Sequence, residues 1–157
     1  MIEQALWKRN PSVDNIVIRR LQKNDIDDIS TIYAAITQTA VTSDFKEVIE
    51  KQLQSGKNAS FVAELHGKVV GYMISYILTA SFGVEKSAWI AMLGVDPKFM
   101  GQGIGAKLAR EIFTFYKKEG IKHIYTSVLW DSTDLLSFFK TLGFDRSEFI
   151  NLRKSLD

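Results

Sequence analysis

Residues 88–120, AWIAMLGVDPKFMGQGIGAKLAREIFTFYKKEG, constrain this chain more than any other stretch. Residues 88–95 carry no charge and read as a buried strand. Asp96-Pro97 turns the chain, Gly101, Gly103 and Gly105 follow, and a helix then runs to Gly120. Ile104, Leu108, Ile112 and Phe115 recur at helical spacing and give that helix one core-facing stripe. The glycines fall where the helix begins. A helix N-terminus presents unpaired N–H groups and a partial positive charge, and glycine lets a ligand approach the backbone closely. The stretch reads as a pyrophosphate cradle between a strand and a helix.

Spacing separates three kinds of cradle. A phosphate loop ending in Gly-Lys-Ser/Thr is excluded, because Ala106, Lys107 and Leu108 follow Gly105. A dinucleotide fingerprint matches the letters Gly101, Gly103 and Ala106, with Asp131 placed as a ribose acid would be. In that fold the first glycine follows the strand directly, whereas here residues 96–100 intervene, so the reading stands as a weaker alternative.

The third kind is carried by LGVDPKFMGQGIGAKL, which closely resembles the acetyl-CoA motif of the GNAT-type N-acetyltransferases. The matching residues are Val95, Pro97, Gly101, Gly103, Ile104, Gly105 and Ala106; Met100 departs, where the family usually has Arg or Gln. Downstream, FFKTLGF (residues 138–144) resembles the family's Tyr-x-Lys-x-Gly-Phe block. The resemblance implies an α/β (α+β) fold: a mixed, mostly antiparallel twisted sheet with flanking helices and a splayed central strand pair. It implies acetyl-CoA as cosubstrate, with Leu93, Gly94 and Val95 along the pantetheine arm. It places Gly101, Gln102, Gly103, Ile104, Gly105 and Ala106 at the pyrophosphate, with Ser132 where the family has a pantetheine-contacting asparagine. Gly94 marks either a strand break or bulge, or a point of close packing.

The catalytic positions depart further. Phe139 stands where the family often has a tyrosine general acid, and Ser127 aligns with a glutamate base of the transferases that act on protein N-termini. Ser132, Tyr125 and Ser127 are therefore the catalytic candidates, with Glu85 and Glu64 as more remote bases acting through water. The expected activity is transfer of acetyl to a primary amine of a small molecule or peptide, by direct attack in a ternary complex. The rival expectation is an acyl-CoA-binding sensor with little catalysis, suggested by the missing tyrosine.

Composition narrows the remaining classes. The chain has 157 residues, 46% of them hydrophobic, enough for one domain with a substantial core. The expected organisation is an arm over residues 1–15, with Leu6 and Trp7 docking from it, and one domain over 16–157. Twenty Lys and Arg against 18 Asp and Glu produce no nucleic-acid field. Absence of cysteine excludes disulfides and an acyl-cysteine intermediate in this chain, and fits a reducing, cytoplasmic setting. No signal-peptide core and no spanning apolar run are expected, so no membrane partner. His66 and His123 lie too far apart to found a metal site. The oligomeric state is open, a homodimer included.

Local patterns set the remaining elements. Residues 16–21 read as a strand, and Asn24 as the cap of a helix with the stripe Ile26, Ile29, Tyr33 and Ile36. Asp44 and Glu47 have capping-box spacing for a second helix. The polar loop 37–43 between them is either an acceptor-site wall or a solvated connector. Residues 61–65 and 69–80 form a hairpin across His66-Gly67, with Tyr72, Ile74 and Tyr76 on one face. Residues 121–130 read as a strand, Asp131 to Thr133 cap a helix ended by Gly143, and residues 149–156 alternate as a last edge strand.

Overall fold

A computed structural model describes residues 15–56, 59–79 and 85–157. The expected arm lies outside them apart from Asn15. The described residues fall into two compact units, one extending to Thr126 and the other covering Ser127–Asp157.

The first unit is built on a five-stranded sheet in the order β1-β2-β3-β4-β5. The strands are β1 Val17–Arg20, β2 Phe61–Leu65, β3 Lys68–Leu78, β4 Ser87–Val95 and β5 Ile124–Thr126. Successive pairs are antiparallel except β4 with β5, which run parallel. The helix α3 (Ile104–Lys118) makes the crossover that a parallel pair requires. The β2–β3 hairpin turns at His66 (φ 50°) and Gly67 (φ 79°), and two positive φ angles in a row are what a tight I′ turn demands.

Alternation divides the sheet into two faces. Tyr72 and Ile74 join Ile26, Ile29 and Ile32 of α1 (Ile26–Thr37) and Ile49 of α2 (Ser43–Gln54) in one core cluster. On the other face, Gly71 meets Ile104 and Leu108 of α3. The stripe Ile104, Leu108 and Ile112 is fully buried as its spacing requires, and Tyr116 lies there too instead of Phe115. Tyr116 anchors the far end of α3: its hydroxyl accepts from the Ala59 N–H (3.2 Å) and shares a hydrogen bond with Ser75 Oγ (3.0 Å), which also donates to the Ala59 carbonyl. Burial pushes the Tyr116 phenol up, although its bonds to Ser75 and Ala59 partly oppose that.

Several local expectations are corrected. Asn24 caps nothing; residues Lys23–Asp25 make a single tight turn, and Asp25 folds inward. Its carboxylate takes the Gln22 N–H (2.7 Å) and both arms of the Arg19 guanidinium (2.8 Å each), while Arg19 Nε donates to Glu64 (2.6 Å). A buried carboxylate needs a cation more than the helix needs a cap. Burial alone would raise the Asp25 pKa, but Arg19 and the Gln22 N–H outweigh it and hold the group below its ordinary value. For α2 the cap is Thr42, whose Oγ1 accepts from the Phe45 N–H at 3.4 Å, and Glu47 instead pairs with Lys51 at 3.2 Å. The hairpin's second strand stops at Leu78, and Ala80 lies outside the described residues.

β5 spans only three of the ten expected positions. Residues 149–156 form no strand among the described residues, and Ile150 and Leu152 are 72% and 88% exposed. An alternating pattern makes a strand only where a neighbour takes its backbone groups. In the second unit α4 (Thr133–Thr141) forms as its spacing predicts, with Gly143 (φ 90°) behind it. The Phe139 ring packs edge-on against Phe138 and Phe144.

Candidate functional site

The site grows from the end of β4. Asp96 N–H donates to Val70 O on β3 (2.8 Å), so Asp96 and Gly94 direct their amides toward β3. Alternation then turns the amides of Leu93 and Val95 the other way, toward the β5 side. β5 pairs with β4 only at Ala88, Trp89 and Ile90. From Ala91 onward that edge of β4 has no strand partner among the described residues, and Leu93 and Val95 present N–H and C=O groups along it. The parallel pair has opened into a gap.

Two irregularities shape β4 beside the gap. Ile74 pairs with Met92 and Ser75 with Ile90, so Ala91 is an extra residue, a β-bulge. The bulge thus lies at Ala91, and Gly94 serves close packing. A Cβ built on Gly94 would stand 2.5 Å from Tyr72 Cε1 and 2.8 Å from its hydroxyl, so the phenol ring lies across the glycine. Burial, with Tyr33 nearby, pushes the Tyr72 phenol up to about 12. It stays protonated at neutral pH, a hydrogen-bond donor and not a base.

Beyond Val95 the chain turns sharply. Asp96 Oδ1 accepts from the Lys98 N–H (3.0 Å), and Pro97 opens a one-turn helix, Pro97–Phe99. Gly101 and Gly103 then take φ of 77° and 80°, a region costly for other residues, and a Cβ at either would meet nothing within 4 Å. The first intrahelical bond of α3 runs from Lys107 N–H to Gly103 O (3.1 Å), and no side chain caps the helix. The amides of Gly103, Ile104, Gly105 and Ala106 therefore lack helical acceptors. Beside them the Gln102 Oε1 is shielded from solvent with no hydrogen-bond partner among the described residues. A left-handed glycine turn, open space above it and free helical amides suit a diphosphate, so these residues fit coenzyme A. Met100 is 52% exposed and contributes no donor.

The catalytic candidates divide between the two units. Tyr125 sits on β5, its ring stacked on Trp89 with centroids 5.2 Å apart and planes 25° apart. Ser127 and Ser132 belong to the second unit; Ser127 Oγ accepts from Asn151 Nδ2 (2.9 Å), and Ser132 stands at the N-cap of α4 without bonding it. Ser127 and Leu129 fall outside β5, so the four-residue face expected there shrinks to Tyr125 with the neighbouring His123 ring, 6.3 Å away. Glu64 is committed to Arg19, next to β1 and two strands from β4, which removes it as a base for this gap. Glu85 is exposed ahead of β4, at the end remote from Val95. His66 is a turn residue.

Trp89 was not singled out by the sequence. Its neighbours Ala88, Ile90 and Ala91 hide it in an unbroken apolar run, and the bulge erases the alternation that would have assigned its face. Its indole N–H is shielded from solvent and has no partner among the described residues. Leaving such a donor unmatched costs about 1–3 kcal/mol.

Comparison with known proteins agrees with this architecture. A curated uncharacterized N-acetyltransferase of Methanocaldococcus jannaschii is 27% identical over 146 residues, covering 88% of this chain and 64% of the relative, so the chain spans under two thirds of that protein's length. A crystal structure of the aminoglycoside acetyltransferase meta-AAC0020 from an uncultured soil metagenomic sample, in complex with sisomicin, superposes with a TM-score of 0.76 at 24% identity, covering 92% of this chain and 99% of the other. The aminoglycoside N-acetyltransferase AAC(6')-Iy in complex with CoA superposes with a TM-score of 0.77 at 17% identity, covering 89% and 94%. The model of the acetyltransferase (GNAT) family matches residues 26–144, and this chain belongs to that family.

Proposed function

We propose that the protein transfers acetyl from acetyl-CoA to a primary amine by direct attack within a ternary complex. One observation carries the reading: the unpaired edge of β4 ends beside a helix N-terminus whose amides and glycine turn are open to a diphosphate. A CoA complex of a protein with the same fold, and family membership over residues 26–144, support it.

In this reading acetyl-CoA supplies an activated thioester. Gly103, Ile104, Gly105 and Ala106 hold its diphosphate through N–H groups, and Leu93 and Val95 pair with the pantetheine amides as a further strand would. A β4 amide facing the gap donates to the carbonyl oxygen as negative charge grows there; comparable backbone donors contribute about 3–4 kcal/mol. The amine nitrogen attacks the carbonyl carbon, the C–N bond forms as C–S breaks, and sulfur leaves as thiolate. The amine's surplus proton passes to water. A thiol of pKa about 8.5 needs only about 2 kcal/mol to leave unprotonated at pH 7, so the absence of a tyrosine at Phe139 is not prohibitive.

Neutralising the acceptor is the harder step. At pH 7 it costs about 4.6 kcal/mol for a lysine-like amine of pKa 10.4, against about 1 kcal/mol for an α-amine near 7.8. With Glu64 bound to Arg19, amines of low pKa are the preferred acceptors.

The test is thiol release from acetyl-CoA with a panel of amines, alongside CoA titration of the wild type and Gly103→Ala. The substitution lowers Tm by roughly 2–4 °C through its left-handed φ, a strain of about 1 kcal/mol, and weakens CoA at least tenfold. Unchanged affinity overturns the cradle. Tight CoA binding with no amine-dependent thiol release overturns transfer and identifies an acyl-CoA sensor, the reading favoured by the hydroxyl-free Phe139.

A further inference from the structure

Three aromatic side chains stand in a row across the strands that lead to the gap. Tyr76 of β3 is in register with Trp89 of β4, and Trp89 with Tyr125 of β5. Side chains of directly paired residues project to the same face, here the face of Tyr72 and Met92, opposite α3. All three are half-buried, and the Trp89 and Tyr125 rings stack. The row sits one rung before the last β4–β5 pair, Ile90 with Thr126. An acyl group lodged in the gap would have α3 and the diphosphate cradle on one side and this row on the other. A nucleophile approaching the side away from the donor passes over the row.

Charge and polarity narrow what that nucleophile carries. β3, β4 and β5 contain no Asp or Glu, so these three strands themselves offer a polycation no carboxylate. They offer ring faces instead, and aromatic rings pack preferentially on other rings.

We infer that Trp89 and Tyr125 form the platform for the acceptor's side group, and that the acceptor is a primary amine joined to a flat aromatic group. This rests on the acetyl-transfer reading. It differs from the aminoglycoside bound to the structural neighbour.

The experiment compares 2-phenylethylamine, n-butylamine and neamine as acceptors for the wild type, Trp89→Leu and Trp89→Phe. The wild type should favour 2-phenylethylamine over n-butylamine by at least tenfold in kcat/KM. Trp89→Leu should erase that preference through KM, and Trp89→Phe should keep most of it. Equal rates for the two amines in the wild type, a preference that survives Trp89→Leu, or a preference for neamine overturns the inference. If no amine releases thiol, acetyl transfer itself fails, and calorimetric titration of 2-phenylethylamine into the CoA-bound protein decides the platform separately. Binding lost in Trp89→Leu supports it; no binding to the wild type overturns it.

Discussion

Replacing Gly94 with alanine adds one methyl group where the Tyr72 ring already lies. The new carbon would stand 2.5, 2.7 and 2.8 Å from Cε1, Cζ and Oη of Tyr72, whereas carbon contacts settle near 3.5–4.0 Å, so the ring must retreat by about 1 Å. It has little room. Tyr72 is 1% exposed and belongs to the cluster with Ile29, Ile32, Val62 and Ile74. Overpacking of this kind costs about 1–3 kcal/mol, which lowers Tm by roughly 2–12 °C in a chain of this size. A double-mutant cycle with Tyr72→Ala isolates the cause. Truncating a buried ring costs about 3–5 kcal/mol by itself, but it vacates the space, so Gly94→Ala should then cost under about 0.5 kcal/mol. Tyr72→Phe removes only the hydroxyl and should relieve only part of the penalty, because Cε1 and Cζ remain. Urea denaturation of the set gives each free energy. If Gly94→Ala is as damaging in the Tyr72→Ala background as in the wild type, the close approach is not what glycine serves here.

Two further perturbations test the supports of the fold. Arg19→Met should destabilise by about 3–5 kcal/mol, because it leaves the buried Asp25 carboxylate without its cation. The pH dependence gives the sign: with its pKa held below the unfolded value, Asp25 stabilises the wild type above about pH 4 and loses that contribution as pH falls through the folded pKa. In Arg19→Met burial raises that pKa, so mild acid should restore stability, and an unchanged acid profile in urea melts would refute the pairing. Tyr116→Phe should cost about 1–3 kcal/mol by removing partners from Ala59 N–H and Ser75 Oγ at constant volume, seen as a Tm loss with CoA affinity retained.

What the sequence disclosed followed from short-range rules. Gly101 and Gly103 do adopt left-handed backbone at the start of α3, and His66-Gly67 does make the hairpin turn, because each is settled within a few residues. The passage from strand through glycine turn to helix was legible for the same reason. What escaped depended on partners remote in the chain. Asp25 resembles a helix-start acid until Arg19 and Glu64 converge with it, and residues 149–156 have the alternation of a strand without a neighbour to pair with. The catalytic candidates rest on neither kind of rule. Ser127 and Ser132 came from alignment with positions whose side chains differ here, Tyr125 from its reach through water, and nothing in their own spacing fixes a proton's route.

The extra residue in β4 also governs how this part of the chain tolerates changes in length. Counting by twos from Trp89 predicts Leu93 as its companion, yet the shift at Ala91 makes Met92 and Gly94 the residues that share its side. Deleting Ala91 would restore a regular pleat with Trp89, Met92 and Gly94 still on one side, because Ile90 and Met92 already pair with consecutive residues of β3. Loss of one residue there therefore leaves what lies above the gap and what lies below it in place, and what the extra residue changes is the local bend and twist of β4.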